Sequence, residues 1–312
     1  MISLRIVSAA VLGSFCLATT ALAVDTPKAD LVNRQQLRVC SDPADMPFSN
    51  EKAEGFENKI ADIIGEELKI PVEYTWFPKA TGFVRMTLSA KRCDLVIGWG
   101  QGDELVLNTN AIYRSTSVLI YKPGTGLDGV DSLSDPRLKG KKIGVVGGSP
   151  AGDHVAKNGL MGNIKGYRMM VDRRYDNPAE EMMADLRSGE TDAAVHWGPI
   201  AAYWASRGGE KLTVVPLVKE QGGTKLAFRI TLGVRQGDDA WKRQINQIIA
   251  KRQPDIDKIL LDYGIPLLVD DDTSMEMVTS PRPASTAAAE APKAETPASP
   301  ARPQVPMPAG PE

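Results

Sequence analysis

The sequence predicts an α/β protein of two lobes, with the first lobe built from both ends of the chain and the second from its middle. Helical and strand periodicities alternate over residues 37–100, which indicates a β-α-β-α-β unit with a parallel sheet. A second unit of this kind begins at residue 143. Strands predicted near 117–121 and 227–234 connect the two units and form the hinge of a cleft.

The first unit starts with a short apolar strand at residues 37–40. Apolar residues recur at helical spacing between 56 and 68, which predicts an amphipathic helix. Alternation over 72–76 predicts a strand, and a short helix follows around 83–88. The continuous apolar run 95–97 is typical of a strand that is covered on both faces.

The second unit begins with a strand at 143–146, followed by a glycine-containing turn. Ser149 is a good N-cap and Pro150 suits the first helical position, so a helix is predicted from there. Its free N–H groups point at the cleft and suit an anion. The glycines match neither a P-loop nor a dinucleotide-binding motif.

Both ends of the chain differ from the middle. Residues 1–23 carry the marks of a secretory signal: a positive charge at Arg5, an apolar core, and small residues before a cleavage site after Ala23. No later apolar run is long enough to span a membrane. We therefore expect an exported, periplasmic protein. Residues 271–312 are rich in proline and alanine, which predicts a disordered tail.

Charge and motif content exclude several functions. The formal net charge is −2, and about −3 after loss of the signal, which argues against nucleic-acid binding. The two histidines, His154 and His196, have no metal-ligand spacing to another histidine or cysteine, and no G-x-S-x-G motif occurs. We therefore expect no catalytic residues, no metal and no enzymatic activity.

Two cysteines, Cys40 and Cys93, remain after the signal is removed. An even count in an exported protein favours a disulfide. The expected strand register opposes it, because an offset of three or four residues separates the Cα atoms by roughly 10 Å or more, beyond the reach of a bridge. A disulfide and a pair of buried thiols both stay open.

Loops that follow the carboxyl ends of parallel strands are the usual ligand-binding positions of such sheets. The candidate cleft residues on this rule are Asp42, Phe48, Trp99, Gln101, Ser149 and Trp197.

At family level, the chain resembles the type II periplasmic solute-binding proteins of ABC transporters over about residues 36–268. The motifs that carry this resemblance are, in order, RVCSDPADMPFS, EGFENKIADIIGEEL, KRCDLVIGWG, LKGKKIGVVGGSPAGD and GETDAAVHWGPIAAY. The resemblance implies lobe I at 36–121 plus 226–268, lobe II at 122–225, and a cleft between lobes joined by two hinge strands.

Within that fold the chain is most similar to the MxaJ (MoxJ) and XoxJ proteins of methanol oxidation. The residues that carry this similarity are VCSDP at 39–43, PFSN at 47–50, EGFENKI at 54–60, YTW at 74–76 and GFVR at 82–85. The cysteine pair also fits that subfamily.

The subfamily is implicated in assembling active methanol dehydrogenase, an enzyme that uses pyrroloquinoline quinone (PQQ), in the periplasm. The resemblance therefore implies an accessory protein whose partner is this quinoprotein dehydrogenase, with no stably bound cofactor and with PQQ met only through the partner. The alternative is a transporter's binding protein for a small solute other than an amino acid.

Aromatic and arginine side chains dominate interfaces, and the candidates for the partner surface are Trp76, Phe77, Phe83 and Arg85. The alternative for Trp76 and Phe83 is the core of lobe I.

Two departures separate the chain from amino-acid binders of this fold. Such proteins hold the ligand carboxylate with an arginine that follows the last strand of the first unit. In this chain the corresponding residues, 100–104, contain no arginine. Such proteins hold the ammonium group with an aspartate, and this chain has His196 and Trp197 at the corresponding place. A bidentate guanidinium contact is hard to replace, so we do not expect free amino acids as ligands. Trp99 and Trp197 are expected to face each other, either stacking on a flat ligand, packing against a partner, or plugging the cleft.

Overall fold

A computed structural model of the protein describes residues 32–271 and 273–284. The signal peptide expected at 1–23 and residues 285–312 of the expected tail lie outside this part. The strands of the first half are β1 (Leu37–Ser41), β2 (Ala44–Asp45), β3 (Ser49–Asn50), β4 (Val72–Trp76), β5 (Leu95–Gly100) and β6 (Leu107–Tyr121). The helices between them are α1 (Phe56–Leu68) and α2 (Phe83–Met86).

The second half continues the alternation of strands and helices. Its strands are β7 (Ile143–Val146), β8 (Ile164–Tyr167), β9 (Ala193–Trp197), β10 (Thr213–Pro216), β11 (Ala227–Val234), β12 (Leu267–Leu268) and β13 (Met277–Val278). Its helices are α3 (Pro150–Lys157), α4 (Pro178–Ser188), α5 (Gly198–Ala205) and α6 (Asp239–Asp262), and a 3-10 turn covers Pro136–Leu138. No helix in the described ranges is long and apolar enough to cross a membrane.

Strand β6 joins the two lobes. The strands follow the order β4-β1-β5-β11-β6-β9-β7-β8. Residues 107–116 of β6 pair with β11, and residues 117–121 pair with β9 in lobe II. Strand β11 begins beside Thr116, where β6 passes between the lobes, and then runs between β5 and β6. The predicted α/β two-lobe fold is confirmed.

Each lobe has its own apolar core. In lobe I, the predicted apolar face of α1 packs with α6, bringing Ile60 and Ile64 together with Ile245 and Ile249. Lobe II has one cluster around α3 and a second against α4 and α5. Full burial of each such aliphatic side chain contributes about 1.5–3 kcal/mol, so the helices are fixed on the sheet mainly by these faces.

Cys40 and Cys93 form a disulfide with a Cα–Cα distance of 5.6 Å. The separation of roughly 10 Å that argued against a bridge is therefore wrong. It assumed an extended chain before β5, whereas residues 91–94 bend and the Asp94 N–H donates to the Arg38 carbonyl at 2.8 Å. The bridge is fully buried in a cluster with Phe83, Leu88 and Val96.

The start of the expected disordered tail is ordered, which corrects the prediction for residues 271 and 273–284. The buried guanidinium of Arg114 donates to the carbonyl oxygens of Val269, Asp271 and Ser274, at 3.1, 2.7 and 2.6 Å. Strand β13 pairs with β12. Arg282 then forms an ion pair with the fully buried Asp257. Composition alone missed these polar anchors, because they depend on partners far away in the sequence.

Candidate binding cleft

A cavity of about 400 Å³ lies where β6 passes from one lobe to the other, and both lobes line it. Phe228 and Ile230 come from lobe I, and Val146, Ile200 and Trp197 come from lobe II. Ser117, the β6 residue that pairs with Trp197, also lines the cavity. The cavity is therefore at the border of the lobes, where the sequence predicted a cleft.

Ser149 reaches this cavity at the start of α3, as its N-cap position predicts. Its hydroxyl accepts from the Gly152 N–H at 3.1 Å and donates to the Val146 carbonyl at 2.8 Å. Both functions of the hydroxyl are thereby used within the turn, so Ser149 shapes the helix start rather than offering a free donor.

Trp197 and His196 form a polar and aromatic wall. The Trp197 ring meets Phe228 edge to face, with centroids 5.8 Å apart. Nδ1 of His196 accepts the Trp197 backbone N–H at 2.7 Å. Burial lowers the pKa of His196 from 6.5 to about 4, with Arg173 adding to the effect. The imidazole is therefore neutral near pH 7 and carries its proton on Nε2.

Two arginines of the loop between β8 and α4, Arg168 and Arg173, also line the cavity, although they are not among the candidates predicted from the sequence. Arg168 pairs with Asp176 in the same loop. Arg173 pairs with Asp45 of lobe I, so this contact joins the lobes. The rule that selected the other candidates, that ligands bind at loops after the carboxyl ends of parallel strands, also applies to this loop, because it follows the parallel strand β8.

Trp99 lies in a different place from the expected one. It stacks on Phe83 with centroids 6.1 Å apart and lines a second cavity of about 530 Å³ with Lys79, Leu105 and Met170. Trp99 and Trp197 therefore line different cavities, and the expectation that they face each other is wrong. The pairing of β11 with β5 fixes the position of Trp99. Thr231 of β11 lies opposite Trp99, and its hydroxyl donates to the Trp99 carbonyl, which keeps this residue in the sheet of lobe I.

The remaining candidates from lobe I do not line the first cavity. The Asp42 carboxylate accepts the backbone N–H groups of Ala44 and Lys79, at 2.8 and 2.6 Å. Phe48 packs edge to face on Phe56 at 5.3 Å. Gln101 is exposed and follows the end of β5. Asp42 and Phe48 thus organise the loop after β1, and Gln101 is not among the residues that line the first cavity.

The expected partner surface needs one correction. Phe83 is 2 % exposed and belongs to the core around the disulfide, so it presents no surface to a partner. Trp76 is half-buried and stacks on Tyr74 at 4.6 Å. Phe77 is half-buried as well, and Arg85 is exposed. A four-residue helix defines no clear buried face from sequence, which is why the sequence left Phe83 open between the partner surface and the core of lobe I, and the structure selects the core.

A buried ion pair lies behind the β1 loop. Lys79 Nζ donates to Glu57 Oε2 at 2.8 Å and to the Ile97 carbonyl at 3.1 Å. Burial raises the pKa of Glu57 from 4.5 to about 7, against the opposing effect of Lys79. A side chain at Gly98 would place its Cβ 1.8 Å from Glu57 Oε1. This residue is a glycine because the carboxylate occupies the space beside it.

Fold and cleft together define a two-lobe binding protein. No protein-family model matches the chain. Protein MoxJ of Methylorubrum extorquens is 30 % identical over 246 residues, which cover 74 % of this chain and 81 % of the relative. The crystal structure of the periplasmic binding protein XoxJ from Methylobacterium extorquens AM1 has 40 % identity and a TM-score of 0.64, covering 75 % of this chain and 100 % of that one.

The crystal structure of MxaJ from Methylophaga aminisulfidivorans MPT has 30 % identity and a TM-score of 0.63, covering 74 % of this chain and all of that one. These similarities show that the chain belongs to the MoxJ/MxaJ/XoxJ family, as the sequence motifs indicated.

Proposed function

We propose that the protein is a periplasmic accessory factor in the assembly or activation of PQQ-dependent methanol dehydrogenase, with that dehydrogenase as its partner. Membership of the MoxJ/MxaJ/XoxJ family is the observation that carries this proposal. The lack of an acidic anchor for the ammonium group of an amino acid supports it, because no aspartate or glutamate is among the residues described as lining the first cavity. In this proposal the chain holds no cofactor of its own, catalyses no reaction and reaches the periplasm by signal cleavage after Ala23.

The rim of the second cavity is the surface that best suits a protein partner. Leu105 and Met170 are 62 % and 61 % exposed there, although one belongs to lobe I and the other to lobe II. Arg85 lies on the same rim. Exposed apolar side chains grouped beside an arginine are typical of interaction sites. Phe83 and Trp99 support this rim from beneath.

Charge reversal on this rim tests the proposal. A strain that lacks the gene is complemented with wild type, with L105E/M170E, or with M161E, which replaces an exposed methionine elsewhere on lobe II. Dye-linked methanol dehydrogenase activity in the periplasm is measured at equal levels of the complementing protein. We expect activity with wild type and M161E and a loss of at least fivefold with L105E/M170E. Full activity in the deletion strain would refute an assembly role.

A binding protein for a small solute other than an amino acid is the second candidate, favoured by the cavity between the lobes. Under that function a ligand closes the lobes, and uptake of the ligand depends on the gene. Unchanged methanol oxidation in the deletion strain, together with lost uptake of a solute, would select this candidate over the first.

A further inference from the structure

We propose that the 400 Å³ cavity at the lobe border binds a small organic acid that consists of an apolar, single-ring body and one carboxylate. This ligand is separate from the dehydrogenase partner, and the inference does not rest on the assembly role. It rests on the size of the cavity, its apolar walls, and the sign of the charges at its edge.

The size and walls of the cavity fit the apolar part of such a molecule. Ligand sites commonly measure about 300–1,000 Å³ and are mostly apolar with a few placed polar groups. Here the Trp197 and Phe228 rings meet at 67° and form one corner. Val146, Ile200 and Ile230 complete an aliphatic surface around it. An aromatic ring placed in this corner gains edge and face contacts with both rings.

The charged residues on the cavity lining are all cations. Arg168 and Arg173 are the two charged side chains among the lining residues, and no aspartate or glutamate occurs in that set. The Arg168 side chain is 75 % exposed and contacts Asp176 through one terminal nitrogen, which leaves donors of its guanidinium available. A guanidinium with free N–H groups suits a planar carboxylate.

His196 adds a neutral donor to the same site. Its Nδ1 is occupied as an acceptor by the Trp197 N–H, so the proton of the neutral ring is on Nε2. Nε2 has no partner within the described residues, and the ring lines the cavity. A ligand oxygen is the matching acceptor. Together with the remaining donors of Arg168 this gives a ligand oxygen more than one donor, and the lining residues include no aspartate or glutamate.

The same lining disfavours amino acids. An ammonium group that leaves water needs acceptors or a negative partner. The carboxylates nearest to the arginines, Asp45 and Asp176, are already paired with Arg173 and Arg168. A zwitterion would bring its positive end against these cations, whereas a simple carboxylate brings only the complementary charge.

Calorimetric titration of the purified mature protein tests the ligand class. The probes are 3-phenylpropionate, its neutral amide 3-phenylpropionamide, and phenylalanine, which share the ring and differ in charge. We expect the carboxylate to bind, and the amide and the amino acid to bind at least tenfold more weakly. Equal affinity for the amide would overturn the charge argument. Failure of 3-phenylpropionate to bind at 10 mM would overturn the ligand class.

Two exposed arginines of one loop provide the matched variants. R168A removes a lining guanidinium, and R174A removes one that pairs with Asp172 and does not line the cavity. We expect R168A to weaken 3-phenylpropionate binding at least tenfold and R174A to change it less than twofold, with the melting temperatures of both unliganded variants near that of wild type. Equal effects of the two variants would overturn the site.

Variants at the two sites distinguish the ligand proposal from the assembly proposal. W197A removes the aromatic corner and is expected to abolish 3-phenylpropionate binding, while the rim residues Leu105 and Met170 stay in place. Loss of dehydrogenase assembly in L105E/M170E with unchanged 3-phenylpropionate binding supports two separate sites. Loss of 3-phenylpropionate binding in L105E/M170E would overturn their separation.

Discussion

Replacing Arg282 with methionine is expected to destabilise the fold by about 3–5 kcal/mol, because it leaves a buried carboxylate without its charged partner. The Asp257 side chain is fully buried, whereas Arg282 is partly exposed. Methionine keeps the apolar length of the arginine stem and removes its guanidinium. The variant therefore isolates the ion pair that fixes the segment after β13.

The structure gives the size of the effect. Arg282 Nε and Nη2 donate to the two Asp257 oxygens at 2.8 and 2.6 Å. The Arg282 backbone N–H and Gln253 Nε2 supply two further donors, both at 2.8 Å, and both survive the substitution. Two lost hydrogen bonds to a charged group, at about 1.5–3 kcal/mol each, give a loss of about 3–6 kcal/mol, which agrees with the range for a broken buried pair.

Urea unfolding followed by circular dichroism measures this loss, with Lys258→Met as the matched control. Lys258 pairs with Asp262 on the same helix, but both side chains are more than half exposed, so its replacement costs less than about 1 kcal/mol. Adding Asp257→Leu to Arg282→Met is expected to restore part of the stability, because no buried charge remains. Equal losses for Arg282→Met and Lys258→Met would refute the reasoning.

Three further changes test the interior of lobe I and the cleft. Replacing Cys40 and Cys93 by alanine opens a loop of 53 residues, and the loop-entropy relation gives a loss of about 4 kcal/mol in urea unfolding. The raised pKa of Glu57 makes stability fall as pH rises from about 4.5 to 7, and the lowered pKa of His196 makes it rise between about 4 and 6.5. In melting curves across that range, Glu57→Gln should therefore show the effect of His196 without that of Glu57. The stability of this variant should rise with pH by up to about 1.4 kcal/mol per pH unit. Gly98→Ala should lower the melting temperature strongly, because its Cβ meets Glu57 Oε1 at 1.8 Å and its φ is +76°.

Each of these predictions has a control within the chain. Glu66→Gln changes an exposed carboxylate on the same helix as Glu57 and should leave the pH dependence as in wild type. Gly102→Ala has a similar φ of +90° but no atom within 4 Å of its Cβ, so it reports the backbone cost alone, about 1–2 kcal/mol. If the stability of Glu57→Gln changed with pH in parallel with wild type, the raised pKa of Glu57 would be contradicted. If Gly98→Ala and Gly102→Ala lost equal stability, the close approach of the buried Glu57 carboxylate to Gly98 would be contradicted. Wild-type stability of the double cysteine variant would contradict the loop-entropy argument.

The sequence predicted those features that depend on a regular period. The apolar spacing of α1 and the continuous run of β5 located both elements, and the N-cap at Ser149 located the start of α3. The order of these elements along the chain predicted the two-lobe arrangement, and the family motifs agreed with it. These signals are local, so one chain segment is enough to detect each of them.

The features that the sequence missed or left open depend on contacts between distant segments. Whether Phe83 is core or surface depends on the disulfide and on Trp99, which complete its surroundings. The ordered segment that contains Arg282 depends on Asp257, 25 residues away. No periodic pattern records such pairs, and proline-rich composition pointed the other way. Loop geometry had the same effect at Cys93, where a bend replaced the expected extended chain.

The arginines at the cleft show how charge placement constrains both ligand and lobe movement. Arg173 pairs across the lobes with Asp45, a buried carboxylate whose pKa is raised by burial, although the charge of Arg173 opposes this. A ligand that draws Arg173 away must offset a buried charge left without its partner. Arg168 has no such cost, because its partner Asp176 is in the same solvent-facing loop. A carboxylate that engages Arg168 therefore leaves the Arg173–Asp45 contact to hold the lobes together, and opening the cleft breaks that contact whether or not a ligand is bound.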